Sequence, residues 1–158
     1  MATNLKNLSE QSNANMVDIA TNKFGIVVSE WNDQITEALY SGAVQTLIEN
    51  GAKKENIIKK QVPGSFELIL GGQWLAQQEE IDAVICLGCV IQGETRHFDF
   101  ICDAVAQGIK DVNLKYNKPV IFGLLTTDNL SQALDRAGGK HGNKGDEAAF
   151  TAIKMLGF

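Results

Sequence analysis

Three short, almost unbroken apolar runs constrain this chain more than anything else in it. They are FGIVVS at 24–29, AVICLGCVI at 83–91 and PVIFGLLT at 119–126. Each has the length of a strand, and none alternates with polar residues, as expected of strands covered on both faces. Between them the apolar period changes to that of a helix. Ile35, Leu39, Ala43 and Leu47 recur every four residues before Asn50-Gly51. Phe98, Ile101, Val105, Ile109, Val112 and Tyr116 trace a longer amphipathic helix. A further strand, IIKKQV at 57–62, carries two lysines, which suits a sheet edge. Strands alternating with helices predict an α/β fold with a parallel sheet.

The remaining elements complete that pattern. Pro63-Gly64 marks a turn, and 65–78 reads as a helix in which Gly71-Gly72 implies a close neighbour. Leu130, Ala133, Leu134 and Ala137 mark a short helix ended by Gly138-Gly139, and 146–156 is the last helix. Residues 16–20 read as a short strand. The lysine-bearing strand at an edge gives the order 2-1-3-4, a flavodoxin-like, four-stranded, three-layer α/β/α sandwich. A chain of 158 residues fits one domain, here 16–158, behind a polar stretch, 1–15, read as a mobile extension.

Composition narrows the function classes. A hydrophobic fraction of 44% and a charged fraction of 21% are those of an ordinary globular protein. The net charge of −5 weighs against non-specific nucleic-acid binding. No apolar run reaches membrane-spanning length and no signal peptide is evident, so a cytoplasmic location is expected. Cys86 and Cys89 form a C-x-x-C, but both fall in a strand, where i and i+3 face opposite sides. Buried thiols are the better reading for both, and for Cys102. No residues have the spacing of a metal site, and no cofactor fingerprint is present.

In the 2-1-3-4 order the switch point lies between the first and third strands, where open sheets hold ligands. Three unusual loops converge there: Trp31-Asn32, 63–67 and 93–97. Trp31 offers a face for stacking a planar ring, or shields a helix end. Asn32 or Asp33 caps the first helix. Ser65 caps a helix and Glu67 sits in its first turn; plain capping is the simpler reading, and binding a ligand hydroxyl the alternative. Gly93, Glu94 and Thr95 precede a helix, a natural phosphate cradle. His97, one of two histidines, is placed at the helix start, where the dipole favours a neutral, base-competent ring; Asp99 orients it or serves the dipole. Arg96 attracts an anion or is solvated. Arg136, Lys140 and Lys144 are a phosphate site or solvated charge. His141 is expected to be exposed.

FGIVVSEWN, VPGSFE, LGCVIQGETRHFDF, PVIFGLLTT and AGGKHGNKGDEAA, in this order and spacing, resemble the lumazine synthase family over residues 16–158. The resemblance implies a cofactor-free transferase. It condenses 5-amino-6-(D-ribitylamino)uracil with 3,4-dihydroxy-2-butanone 4-phosphate, releasing phosphate and water, in riboflavin biosynthesis. Carried over residue by residue, it implies that Trp31 stacks on the pyrimidine and that Ser65, Phe66 and Glu67 meet the ribityl chain. The backbone of Cys89, Val90 and Ile91 reads the pyrimidine edge. Glu94 and Thr95 hold phosphate, and His97 transfers protons. Phe122, Arg136 and Lys144 reach the site from a neighbouring subunit, the last two toward phosphate. The resemblance also implies pentamers. GGKHGN at 138–143 resembles the short loop of members that build 60-subunit icosahedral shells, with riboflavin synthase as a candidate cargo. The strand at 16–20 would then add to the neighbour's sheet.

Other classes fit less well. A lumazine- or flavin-binding protein, or a purely structural shell, would not need His97, Arg136 and Lys144 together. A flavodoxin-like electron carrier would need a phosphate loop after the first strand, where Glu30 to Asp33 is acidic.

Overall fold

The computed structural model describes residues 17–158. Strand β1 (Phe24–Ser29) leads to α1 (Asp33–Glu49) and, past a 3₁₀ turn at Lys54–Asn56, to β2 (Ile57–Val62). Then follow α2 (Leu68–Ala76), β3 (Ala83–Ile91), α3 (His97–Tyr116) and β4 (Val120–Thr127). The chain closes with α4 (Leu130–Leu134), a small hairpin of β5 (Ala137–Gly139) and β6 (Gly142–Asn143), and α5 (Lys144–Leu156). The four main strands form a parallel sheet in the order β2-β1-β3-β4, as the sequence predicts.

Alternate strand residues feed two separate cores. Ile26, Val28, Ile85, Leu87 and Cys89 face Ile35, Leu39 and Leu47 of α1 and Ala149 and Ile153 of α5. Val27, Val84, Cys86 and Leu124 face Leu68 and Leu75 of α2 and Val105, Ile109 and Val112 of α3. The layering follows from chain direction. The step from β1 to β2 runs one way across the sheet and the later steps run the other, so crossovers of one hand put α1 opposite α2 and α3. Cys86 and Cys89 fall in different cores, as their strand spacing requires. Cys102, expected to be buried, is only half-buried on α3.

Close approaches explain several glycines. A Cβ on Gly71 would sit 2.9 Å from methyls of both Val27 and Val62, and one on Gly72 would sit 2.9 Å from Cys86 Sγ. The α1–α5 crossing is tighter still, since a Cβ on Gly145 would lie 1.9 Å from Leu39 O. Asn143 locks that crossing: its Oδ1 accepts from Gly145 N at 2.8 Å and its Nδ2 donates to Ala38 O at 2.9 Å. At the edge strand β4, the Asn113 side chain stands in for a missing neighbour strand. It donates to Val120 O at 2.7 Å and accepts from Val120 N at 2.8 Å.

Residues 17–20 form no strand within the single chain, so the addition of 16–20 to a neighbour's sheet stays an expectation about the assembly; Ile19 is buried in the core, and Met16 and the extension at 1–15 lie outside the described residues. Two other expectations are corrected. Helix α2 begins at Leu68, so Ser65 lies in a preceding turn and is no cap; Glu67 holds the N-cap position without a side-chain cap bond. Helix α4 stops at Leu134, because Ala137–Gly139 leaves it to pair with Gly142–Asn143, with Gly138 and Gly142 at positive φ.

Gly145→Ala is expected to destabilise the chain by about 3 kcal/mol, since the clash is with backbone and cannot be relieved by a rotamer change. Urea denaturation of the two proteins checks this; an unchanged midpoint would mean that the α1–α5 crossing is loose.

Candidate functional site

The carboxyl ends of β1, β2 and β3 open onto a cavity of about 650 Å³. It is lined by Trp31 and Asn32, by Gly64 to Glu67, by Cys89 to Ile91, and by His97 and Ile101. The convergence predicted at the switch point is thus present, and three separate loops build it.

The loop after β1 is stitched to β2: Glu30 N donates to Val62 O at 2.8 Å and Trp31 N to Pro63 O at 3.1 Å. This leaves the Trp31 indole 73% exposed at the cavity wall, too open for a ring that only shields a helix end. Phe66 is half exposed beside it. Ser65 is buried against β3, where only Gly88 leaves room; a Cβ there would stand 2.9 Å from Ser65 Oγ. A glycine inside an otherwise apolar strand was the sequence signal for that approach.

The third loop leads into α3. His97 is the first residue of the helix and is exposed. Among the described residues, the backbone N–H groups of Gly93, Glu94 and Thr95 have no hydrogen-bond acceptor, and the Thr95 hydroxyl accepts from His97 N at 3.4 Å. Unpaired donors at the positive end of a 20-residue helix are suited to an anion. Asp99 does not orient His97: its carboxylate pairs with Arg96 Nε at 3.2 Å, both groups being solvent-exposed. Glu94 and Thr95 are exposed and are not among the residues that line the cavity; they lie in the segment between Ile91 and His97, which do line it.

Phe122, Arg136 and Lys144 are not in this cavity. They line a second one of about 560 Å³ between β4 and α5. Arg136 lies beyond α4, and its Nη1 donates to Gln132 O at 3.0 Å, as C-terminal capping would have it. Lys144 forms an ion pair with Glu147, and both side chains are mostly buried. Beside them the Asp146 carboxyl is held above its ordinary value, first by burial and then by Glu49 and Glu147. Lys140 is exposed, and His141 is half-buried rather than exposed. No cluster of His, Cys, Asp or Glu among the described residues could hold a metal, and no described helix is long and apolar enough to cross a membrane.

Residues 21–158 match the family model described as 6,7-dimethyl-8-ribityllumazine synthase. A Cytophaga hutchinsonii protein of that name is 68% identical over 151 residues, covering 96% of this chain and 94% of the relative. One from Parabacteroides distasonis is 57% identical over 158 residues, covering 100% of this chain and 99% of the relative. One from Flavobacterium johnsoniae is 56% identical, covering 98% of this chain and 82% of the relative.

Burial keeps Cys86 and Cys89 from the thiolate form that thiol exchange requires. Burial pushes the Cys86 thiol up to about 12 and the Cys89 thiol to about 11, and the Cys86 thiol donates to Leu68 O at 3.8 Å. The neutral thiol is therefore the form the fold favours. Its contribution is complete below the ordinary thiol value of 9.0 and is lost as pH rises through about 11 to about 12. Disulfide-exchange labelling at pH 8 should leave both thiols unmodified in the folded protein and modify them in urea. Stability measured from pH 9 upward should fall.

Proposed function

The chain belongs to the 6,7-dimethyl-8-ribityllumazine synthase family, and from that premise we propose which of its residues carry the reaction. The activity is a transferase activity of riboflavin biosynthesis, joining 5-amino-6-(D-ribitylamino)uracil to 3,4-dihydroxy-2-butanone 4-phosphate. What supports the residue assignment most is the meeting of the three loops, with an exposed indole on one side and a histidine at a helix start on the other.

The pyrimidine stacks on Trp31, and the backbone of Cys89, Val90 and Ile91 reads its edge. Ser65, Phe66 and Glu67 hold the ribityl chain, the Glu67 carboxylate accepting from its hydroxyls. The phosphate of the second substrate sits at the start of α3, on the free N–H groups around Glu94 and Thr95. The amine adds to the ketone and water leaves as the imine forms. Phosphate is then eliminated, and ring closure releases a second water. Each stage moves a proton, and His97 stands between the pyrimidine and phosphate subsites to carry it. Holding both substrates in one cavity supplies much of the rate. The chain does this without a cofactor.

Phe122, Arg136 and Lys144 complete the site of an adjacent copy. Their separation from the first cavity, and the exposed edge of β4 with Phe122 44% exposed, support that assignment. A pentamer would bring one subunit's second cavity against the next subunit's first. The tight β5–β6 hairpin, with two residues in its loop, supports closure into a 60-subunit shell, with riboflavin synthase as candidate cargo. The cell compartment proposed is the cytoplasm.

Lumazine fluorescence and phosphate release, followed together with both substrates, should rise in step; tight pyrimidine binding without phosphate release would favour a binding protein. His97→Ala should lower kcat by about 10²-fold with substrate binding retained. Arg136→Ala should raise KM for the phosphorylated butanone more than for the pyrimidine. Mixing the two variants before reassembly should restore about one quarter of full activity, because random neighbours rebuild that share of intact sites. Absence of any recovery would place both residues in the same subunit's site.

A further inference from the structure

Asn32 breaks a local rule in a way that the fold alone does not require. It occupies the N-cap position of α1, where asparagine ordinarily takes an extended backbone and folds its side chain back onto the first helical amides. Here its backbone is left-handed, with φ 61° and ψ 46°, and the side chain caps nothing. The Nδ2 group instead crosses the crevice and donates to Cys89 O at 2.9 Å. The Asn32 carbonyl still accepts from Ile35 N and Thr36 N, so the helix starts normally without help from that side chain.

The consequence is geometric. Trp31 is held on one side by its N–H to Pro63 O. On the other side, the amide of the next residue ties the same loop to the end of β3. The two bonds bridge β2, β1 and β3 at the cavity mouth, and they hold the backbone that carries the indole against the end of β3. A ring sandwiched on Trp31 and read at its edge by β3 needs that placement. We propose that Asn32 is a positioning residue for the pyrimidine substrate, holding Trp31 in register with the edge-reading backbone of β3. The inference rests on the assignment of Trp31 and of the β3 end to pyrimidine binding made above.

Three full-length variants test it in a Trp74→Phe background, where Trp31 is the remaining tryptophan and its fluorescence reports 5-amino-6-(D-ribitylamino)uracil binding. Asn32→Gly tolerates positive φ but loses the tie; Asn32→Asp keeps size and left-handed tolerance but sets a carboxylate against a carbonyl. Both should weaken pyrimidine affinity about tenfold, Asn32→Asp the more, while KM for the phosphorylated butanone stays unchanged. Lowering pH should then rescue Asn32→Asp relative to its parent, because a protonated carboxyl can again donate to Cys89 O. Glu67 and His97 in the cavity wall, and Glu30 and Asp33 in the loop, are the same in both proteins, so the ratio at each pH isolates the new group. Trp31→Ala, which leaves no tryptophan in this background, is the third variant, and its affinity for the pyrimidine is read by isothermal titration calorimetry alongside its parent. If it leaves pyrimidine affinity unchanged, the Trp31 assignment falls and the proposal with it. If Trp31→Ala weakens binding and the Asn32 variants do not, or if they raise both KM values equally, Asn32 has no positioning role and the Trp31 assignment stands.

Discussion

The parallel pairing of β1 with β3 is the interaction on which the rest of this structure depends. Phe24 lies opposite Ala83 and Val28 opposite Leu87, in a register running almost the length of β1. Every residue of β1 is buried, and so are the first seven of β3. Each large side chain removed from water there contributes about 1.5–3 kcal/mol, which makes this pair the thermodynamic centre of the sheet. It is also the topological centre. The chain leaves β1 toward one edge and leaves β3 toward the other, so no connection covers the gap between their carboxyl ends. The buried centre of the sheet and the crevice at its carboxyl end are therefore two consequences of one pairing.

Around that crevice the work is divided by chemistry. Its floor and walls are backbone and aromatic surface, suited to a flat heterocycle with a polar edge. Its rim at the start of α3 offers free amide donors with Arg96 nearby, suited to an anion even though the chain as a whole is negative. The other cationic side chains assigned to phosphate lie elsewhere, next to an edge strand, and one of them is already neutralised. Lys144 shares its mostly buried surroundings with Glu147, beside an Asp146 carboxyl that burial and the neighbouring acids hold above its ordinary value.

How far the sequence could be read depended on whether a signal was local. Apolar runs without alternation announced the buried strands, and the lysines of 57–62 announced the edge, since Lys59 reaches out to Glu37 at 2.6 Å. The glycine pair in α2 foretold the close approach of Val27, Val62 and Cys86. Three other features left no such trace. Ser65 resembles a cap but sits before the helix. Residues 137–143 resemble a helix end and a loop but fold into a hairpin, because Gly138 and Gly142 take φ values open to glycine. Asn32 resembles an N-cap and spends its amide on a carbonyl 57 residues away.

The sequence by itself determined the elements, the strand order, the crevice between β1 and β3 and the residue types that meet there, because hydrophobic period and turn chemistry act over a few residues. Only the tertiary structure decided which side chains share a cavity. It gathered Phe122, Arg136 and Lys144 along one cavity between β4 and α5, tied Asn32 to Cys89 rather than to its own helix, and bound Asp99 to Arg96 rather than to His97. Those outcomes turn on distances across the sheet and between layers, where hydrogen-bonding groups far apart in the chain compete for the same partner, and no local pattern records which of them wins.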